Sequence, residues 1–519
     1  MKAEGQTRAE PARDRQKVLA FLQRAETAVV ATSGGDHLRL RMMHVGVEDD
    51  FSIYLASMKN DPKILQMTHH PSVSLMVSRI PDDVTEAEEV EYVGRAVVIR
   101  DPEERRRCLE STRRTSPIVA SLIEAGNTDV LDCIKIVPRW IKYRKFREIT
   151  QGVPPTVLEF AEHRSTAGDW QLLRQKLGSW WQAIRFNSLT ASLVPALLGT
   201  ALAWYETGAV NLVWALLTVL GVVALQAGTN VLNDYHDHYT GNDQKNLEFV
   251  RPFGGGSRVI QLGLLTPLEM LVGGLALILA AGGIALGLTL SQERWLVLPL
   301  AALGALSGIV YNKPGGNAIR SGLGEVLIGL NFGVLITLGA YYVQTGTLAL
   351  SALGASVPVT LLVMSVIYIN EFQDEAADRA TGKSTWVVRL GRARAARWFP
   401  LFFVLAYAWL LLGIALGHAP AATALGLLAA PLAVAAVTTA RRHYGNNIDL
   451  APANGHTAIH HLIFGLLQTL GYVAVALGSG GLVPTVALGL LFIGFGVYMY
   501  RYTDRLRRAS ISVRQAMAR

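Results

Sequence analysis

Two regimes of hydrophobic patterning divide the 519-residue chain. Over residues 17–148, apolar positions alternate with polar or basic ones in short runs: TAVVATSGGD, LRLRMMHVGVEDD, FSIYLAS, PSVSLMV, EYVGRAVVIRD and LDCIKIVPRWIKYRKF. A period of two marks half-buried strands, and SGGD supplies a turn. These runs predict a small β-barrel, with helices over 59–69 and 102–126, in an α+β domain large enough for its own core. From residue 189 the alternation gives way to apolar stretches that approach the ~20 residues needed to cross a bilayer. They fall at 189–206, 210–233, 267–290, 294–312, 323–345, 349–372, 397–418, 419–440, 458–478 and 482–500. The second part is thus predicted to be an all-α polytopic membrane bundle of nine or ten transmembrane helices, the tenth resting on 482–500.

Composition supports that division. The chain is 51% hydrophobic and 17% charged, with a mean hydropathy of +0.30, against about a quarter charged in soluble domains. Residues 1–150 hold 24 of the 48 Lys+Arg and 23 of the 40 Asp+Glu, whereas residues 189–519 hold 20 and 14. The net charge of +8 includes no long basic run, which argues against nucleic acid as a partner. It serves better as a topology signal. The opening MKAEGQTRAEPARDRQK is charged and lacks the apolar core of a signal peptide, so the first domain is expected in the cytoplasm. Loops after even-numbered helices, with the tail, then carry 19 Lys+Arg, and the opposite loops carry Arg294 alone. That asymmetry places the even-numbered helix ends inside, at the cell (inner) membrane. Cys108 and Cys133, the only cysteines, make neither a disulfide framework nor a zinc pattern. The expected organisation is a soluble domain over 1–148, a linker and interfacial helix over 149–188, a membrane domain over 189–500 and a basic cytoplasmic tail over 501–519. In the connector, Trp170, Trp180 and Trp181 alternate with Arg174, Lys176 and Arg185, the mixture expected at a headgroup boundary.

The chemistry concentrates in two acidic clusters. The second apolar helix ends in GTNVLNDYHDHYTGND, which puts Asn230, Asn233, Asp234 and Asp237 on one helical face, followed by Asp243. The sixth ends in YINEFQDEAADRATGK, which puts Asn370, Asp374 and Asp378 on one face beside Glu371 and Glu375. Both lie at cytoplasmic ends, so they are expected at similar depth. Gathered carboxylates at a membrane edge repel one another and call for a cation. Mg²⁺ suits oxygen donors that leave room for water and substrate phosphates. Two facing Asp/Asn groups therefore suggest a metal-bridged diphosphate; the bland reading is a pair of solvated helix ends. Lys245, Arg251 and Arg258 follow the first cluster, and Arg379, Lys383 and Arg389 follow the second. The same cations would serve topology alone.

NDYHDHYTGND, RPFGGGSRVIQLG, YNKPGGNAIRSGLGE and NEFQDEAADRATGKSTWVVRLG resemble, in order, the motifs of UbiA-type intramembrane prenyltransferases, and in particular the 1,4-dihydroxy-2-naphthoate polyprenyltransferases of menaquinone synthesis, over about residues 185–480. The resemblance implies a helical bundle enclosing a lipid-open cavity, in which a polyprenyl group passes from an allylic diphosphate to an aromatic acceptor. It implies Mg²⁺ held by Asn233, Asp234, Asp237, Asp243, Asn370, Asp374 and Asp378, with Asp234, Asp237, Asp374 and Asp378 as catalytic residues. Lys383 and Arg251 match basic loop positions and are expected to contact diphosphate. Tyr311 and Glu325 match the middle motif and are expected near the acceptor; a belt tyrosine and a helix cap are their structural alternatives. His236 and His238, which interrupt the first motif, are read as surface residues.

The N-terminal pattern resembles the pyridoxamine 5′-phosphate oxidase-like split β-barrels, whose members commonly bind FMN at a dimer interface. Arg41, Ser57 and Lys63 fall at the positions that this resemblance assigns to the FMN phosphate, and a homodimer through the barrel is implied. Asp61, however, stands where a serine is common, and a carboxylate there would repel a phosphate. Other readings remain: a UbiA-type enzyme with 4-hydroxybenzoate or a glycerol phosphate ether lipid precursor as acceptor, a carboxylate-lined transporter, or a flavoprotein with a membrane anchor. Prenyl chain length and acceptor identity are not legible in the motifs.

Overall fold

The structure is a computed structural model of the chain. It describes all residues except 1–8, 35–36, 60, 161–168, 241–255, 261–263, 313–321, 381 and 519. The chain forms two compact units, one built chiefly from residues 1–180 and the other chiefly from residues 181–507.

The first unit is an eight-stranded sheet of β1 (Thr27–Gly34), β2 (His37–His44), β3 (Gly46–Val47), β4 (Ile53–Met58), β5 (Ser72–Arg79), β6 (Glu88–Val98), β7 (Leu131–Lys145) and β8 (Thr156–Glu159). Its order is β2-β1-β5-β6-β7-β4-β3, with β8 on β7, and every pairing is antiparallel. Alternation along β5 buries Val73, Leu75 and Val77 and exposes the residues between them, as a two-residue period requires. Tyr92 is fully buried, and its hydroxyl donates to Phe51 O and Ile136 O, each at 3.0 Å. The register of β6 on β7 shifts between Val93 and Gly94. A Cβ at Gly94 would lie 2.7 Å from both Ile136 Cγ2 and Val137 O, so only glycine fits that bulge. The helix expected over 102–126 is two helices, Pro102–Arg113 and Pro117–Glu124. Pro117 holds Ser116 in an extended conformation, and the Ser116 hydroxyl caps the second helix at Val119 N. The helix expected over 59–69 begins later, at Pro62, because Asp61 caps it.

The second unit is helical and makes the chain a multi-pass membrane protein. Among the described residues, eight helices are long and apolar enough to cross a bilayer, or nine if Lys176–Ser188 and Thr190–Thr207, bent by 56°, count as one span. The stretch expected at 294–312 is helix Val297–Asn312, whose apolar part, Val297–Gly308, is shorter than a span. The final helix, Leu482–Ala518, continues through the basic tail, where residues 501–518 contain neither Gly nor Pro to stop it.

The first-motif helix is Leu212–Thr240 and the second-motif helix is Leu350–Ala380. The span Gly324–Thr345 includes a π-helical turn, Leu330–Leu335. A Cβ at Gly333 would lie 1.9 Å from Thr360 Oγ1 on the second-motif helix. The missing side chain lets the two backbones approach. An aromatic cluster of Tyr368, Phe372, Phe399, Phe402, Phe403 and Phe464 anchors the lower half of that helix, and Tyr368 donates to Ala395 O at 3.0 Å.

Candidate functional site

Both motif helices run as apolar spans until their last turns, where Asn and Asp recur at helical spacing. On the first, Asn230 Nδ2 donates to Ile184 O at 3.0 Å and to Ser188 Oγ at 3.1 Å. Asn233 Oδ1 accepts from Arg185 Nη2 at 2.9 Å. Asp234 is 3% exposed. One of its oxygens pairs with Arg185 Nη2; the other accepts from the Ser257 hydroxyl and, at 3.2 Å, from Ser257 N. Arg185 itself has φ 52°, a left-handed conformation unusual for a residue with a side chain. A charge-assisted contact to a nearly buried carboxylate offsets that cost. Sequence reasoning placed Arg185 among the headgroup cations, but its guanidinium points inward onto the first motif. Asp237, half-buried, lies one turn beyond Asp234.

On the second-motif helix, Asn370 Oδ1 accepts from Asn454 Nδ2 at 2.7 Å. Asn454, 1% exposed, also donates to Ile369 O at 3.1 Å and accepts from Gln373 Nε2 at 3.1 Å. Glu375 accepts from Arg379 and lies 3.6 Å from Arg392 Nε, so it is committed to its own cations. Asp378 is buried, with Lys383 Nζ 3.5 Å from its Oδ1, and its backbone carbonyl accepts from Lys383 N at 2.9 Å. Burial pushes the Asp378 carboxyl up to about 6; Lys383 opposes this, and the charges of Asp374 and Asp237 add to it. Asp237 belongs to the other motif, so the two acidic ends act on one region of space.

The donor set fits Mg²⁺ in kind. Asn and Asp oxygens are hard ligands, and the repulsion felt at Asp378 is what a cation would relieve. Among the described residues, no three His, Cys, Asp or Glu side chains form a ready cage. A cation here would have to share its shell with other oxygens, as Mg²⁺ commonly does with phosphates. Asp243 and Arg251 lie outside the described residues, as does the side chain of Tyr311, whose backbone ends helix Val297–Asn312.

Glu325 is buried, and its Oε1 accepts from Trp386 N at 2.6 Å. Glu371 accepts from Val387 N at 3.4 Å, and Trp386 Nε1 donates to Gly322 O at 2.7 Å. Glu325 thus holds the start of the short helix Trp386–Leu390, just after Lys383.

In the N-terminal unit, Arg41 Nη1 donates to Thr32 Oγ1 at 2.7 Å and Nη2 to Gln66 Oε1 at 3.0 Å. Asp61 Oδ2 accepts from Ser57 Oγ at 3.3 Å and from Lys63 Nζ at 2.9 Å, and Asp61 also interacts with the Arg41 charge. The structure therefore brings Arg41, Ser57 and Lys63 together, but around an internal carboxylate. As arranged, these residues do not fit a flavin phosphate: Asp61 already supplies the negative charge and would repel another.

Sequence reasoning missed Ser257 and Asn454 and misassigned Arg185. Asn454 left little signal, since it is one of several polar residues, with Asn447, Asp449, His456, His460 and His461, in the first half of its helix. Ser257 left none beyond the glycines that precede it.

Residues 15–135 match the profile described as Pyridoxamine 5′-phosphate oxidase, and the antiparallel sheet agrees. A 1,4-dihydroxy-2-naphthoate octaprenyltransferase of Escherichia coli (strain K12) is 31% identical over 228 residues, 42% of this chain and 71% of that protein. One of Bacillus subtilis (strain 168) is 28% identical over 298 residues, 56% of this chain and 91% of that protein. UbiA prenyltransferase domain-containing protein 1 of Xenopus tropicalis is 26% identical over 358 residues, 69% of this chain and 96% of that protein. The UbiA prenyltransferase profile matches residues 192–453, about half of the chain and the stretch that carries both motifs; the chain belongs to the UbiA prenyltransferase family.

Proposed function

We propose that the chain transfers a polyprenyl group from its allylic diphosphate to 1,4-dihydroxy-2-naphthoate, with loss of the acceptor's carboxyl group, in a Mg²⁺-dependent step of menaquinone biosynthesis. The observation that carries the reaction type is membership of the UbiA prenyltransferase family, and the charges of Asp237 and Asp374, one from each motif, both reaching Asp378 support it. The printed names of the Escherichia coli and Bacillus subtilis relatives support the naphthoate acceptor.

Asn233, Asp237, Asn370, Asp374 and Asp378 would hold the metal, which supplies charge neutralisation to the departing diphosphate. Asp234 takes part as the residue that fixes Arg185 and Ser257 around the first motif. Lys383, already beside Asp378, adds positive charge where phosphate oxygens would come. Arg251 and Asp243 belong to the same set by their motif positions. Glu325 and Glu371 pin the segment after Lys383. The N-terminal unit and the acidic ends are assigned to the cytoplasmic side of the inner membrane from the distribution of Lys and Arg. Leu38, Leu40 and Met42, exposed at 79%, 70% and 73% along β2, form an apolar edge suited to a second copy of the barrel.

The test incubates purified full-length protein with Mg²⁺, several prenyl diphosphates and several aromatic acceptors, and identifies products by mass. A decarboxylated prenyl naphthalenediol is expected from dihydroxynaphthoate. Asp374→Asn should lower kcat about 10²–10³-fold, the scale of losing one electrostatic element of a transition state. Transfer undiminished in that variant would refute the site, and exclusive use of 4-hydroxybenzoate would refute the acceptor.

A further inference from the structure

Residues 379–448 contain eight Lys+Arg and no Asp or Glu, so most of these cations have no acid nearby in the chain. Two spans fill most of that stretch, Arg392–Ala415 and Ala421–His443, joined by the short connection 416–420. A short connection makes neighbouring helices antiparallel, and Arg441 Nη2 accordingly donates to Arg397 O at 3.4 Å. The start of the first span and the end of the second therefore meet at one edge of the bundle, just after the second acidic motif. Arg392 there faces inward. Its Nη1 donates to Asn447 Oδ1 at 3.0 Å and its Nε lies 3.6 Å from Glu375 Oε2, on the helical face that also buries Ala395, Ala396 and Phe399. Arg394 and Arg397 fall on the opposite face and are exposed, as are Arg441 and Arg442. Among the described residues, none of these four pairs with a carboxylate.

Orienting the spans and complementing a helix C-terminus would explain the sign of these charges. Neither explains their alignment. Arg394, Arg397 and Trp398 share one helical face with Leu401, Val404 and Leu405, all of them exposed, and Arg441 shares a face with the exposed Thr438 and Val434. On both helices the guanidiniums thus top an apolar stripe, with a tryptophan at the boundary, where such rings settle at headgroup level. We propose that this edge binds an anionic phospholipid from the surrounding leaflet. Arg397 and Arg441 meet the phosphate with their forked donors, Arg394 and Arg442 add charge, and the acyl chains lie along Leu401, Val404 and Val434. A soluble anion would leave the stripes unused. A zwitterionic lipid would bring its own ammonium among four guanidiniums that lack counter-ions, and like charges repel.

Full-length protein freed of lipid in a neutral detergent is titrated with dioleoyl phosphatidylglycerol or dioleoyl phosphatidylcholine, and bound lipids are counted by native mass spectrometry. The wild-type chain is expected to hold one phosphatidylglycerol about tenfold or more tightly than phosphatidylcholine, and an excess of inorganic phosphate should not displace it. Arg397→Gln/Arg441→Gln should weaken that binding about 30-fold, the scale of two basic side chains at a lipid surface. Arg501→Gln/Arg505→Gln removes two exposed arginines of the final helix and should leave it unchanged. Equal affinity for the two lipids, displacement by phosphate, or equal weakening in both double variants would overturn the proposal. The comparison of the two lipids on the wild-type chain stands even if a variant does not fold.

Discussion

The inward turn of Arg185 can be measured directly. Asp234 is 3% exposed, and Arg185, 32% exposed at its side chain, is the cation that faces it. Removing one partner of a fully buried pair costs about 3–5 kcal/mol, because the survivor keeps its desolvation penalty without its counter-charge. Arg185 is partly solvated, and Ser257 still donates to Asp234, so the cost of Arg185→Ala is set lower, at about 2–3 kcal/mol. That lowers the folded-to-unfolded ratio about 30- to 150-fold. Asp234→Asn keeps the shape and removes the charge, so the double variant Arg185→Ala/Asp234→Asn should recover about 1.5–2 kcal/mol relative to the sum of the single changes. Both contacts leave from one nitrogen, Nη2, so Arg185→Lys, whose ammonium carries three donors, should rescue much of the loss. Equilibrium unfolding in mixed denaturing micelles, followed by tryptophan fluorescence, gives the four corners of the cycle. Additivity within about 0.5 kcal/mol would mean that Arg185 and Asp234 do not interact, and the account of the first motif would fall.

Other outcomes are equally specific. Asp378 must lose its proton before it can hold a cation, and its carboxyl is pushed up to about 6; the Mg²⁺ concentration that half-saturates activity should therefore rise as pH falls through that value, and a flat dependence between pH 5 and pH 7 would contradict the assignment. Asp61→Ser preserves a helix cap while freeing Ser57 and Lys63. FMN titration followed by flavin fluorescence should show binding in that variant and none in the wild-type chain, and equal binding by both would refute the self-filled anion site. Glu325→Ala removes the acceptor of Trp386 N, at a cost of about 1–3 kcal/mol; Glu325→Gln retains an acceptor oxygen and should unfold close to wild type in the same micelle assay.

The parts of the fold legible in the sequence were those governed by a period. Alternation located the strands, and long apolar runs located the spans, because each is repeated over many residues. Local stops were harder. Pro117 divides a helix that the apolar pattern carries through, and the last helix runs on because nothing in its basic stretch breaks it. At the site, helical spacing brought out the acidic faces of 234/237 and 374/378, since their residues share one element. Contacts between distant elements left almost no trace. Arg185 on Asp234, Ser257 on Asp234 and Glu325 on Trp386 N depend on how loops return to helices, and residue type alone gave Arg185 and Glu325 another plausible use and Ser257 none. Asp61 shows the opposite case: its charge in a run of expected phosphate contacts was a readable objection, and the ion pair with Lys63 gives that objection a geometry.

Asn454 stands one residue past the 192–453 stretch matched by the UbiA profile, yet its amide clasps Asn370 from the facing helix. A chain trimmed at residue 453 would retain every aspartate of the two motifs and still lose the hand that steadies the second. The support of the second motif therefore extends beyond the edge drawn by similarity, into the helix Asn447–Leu477.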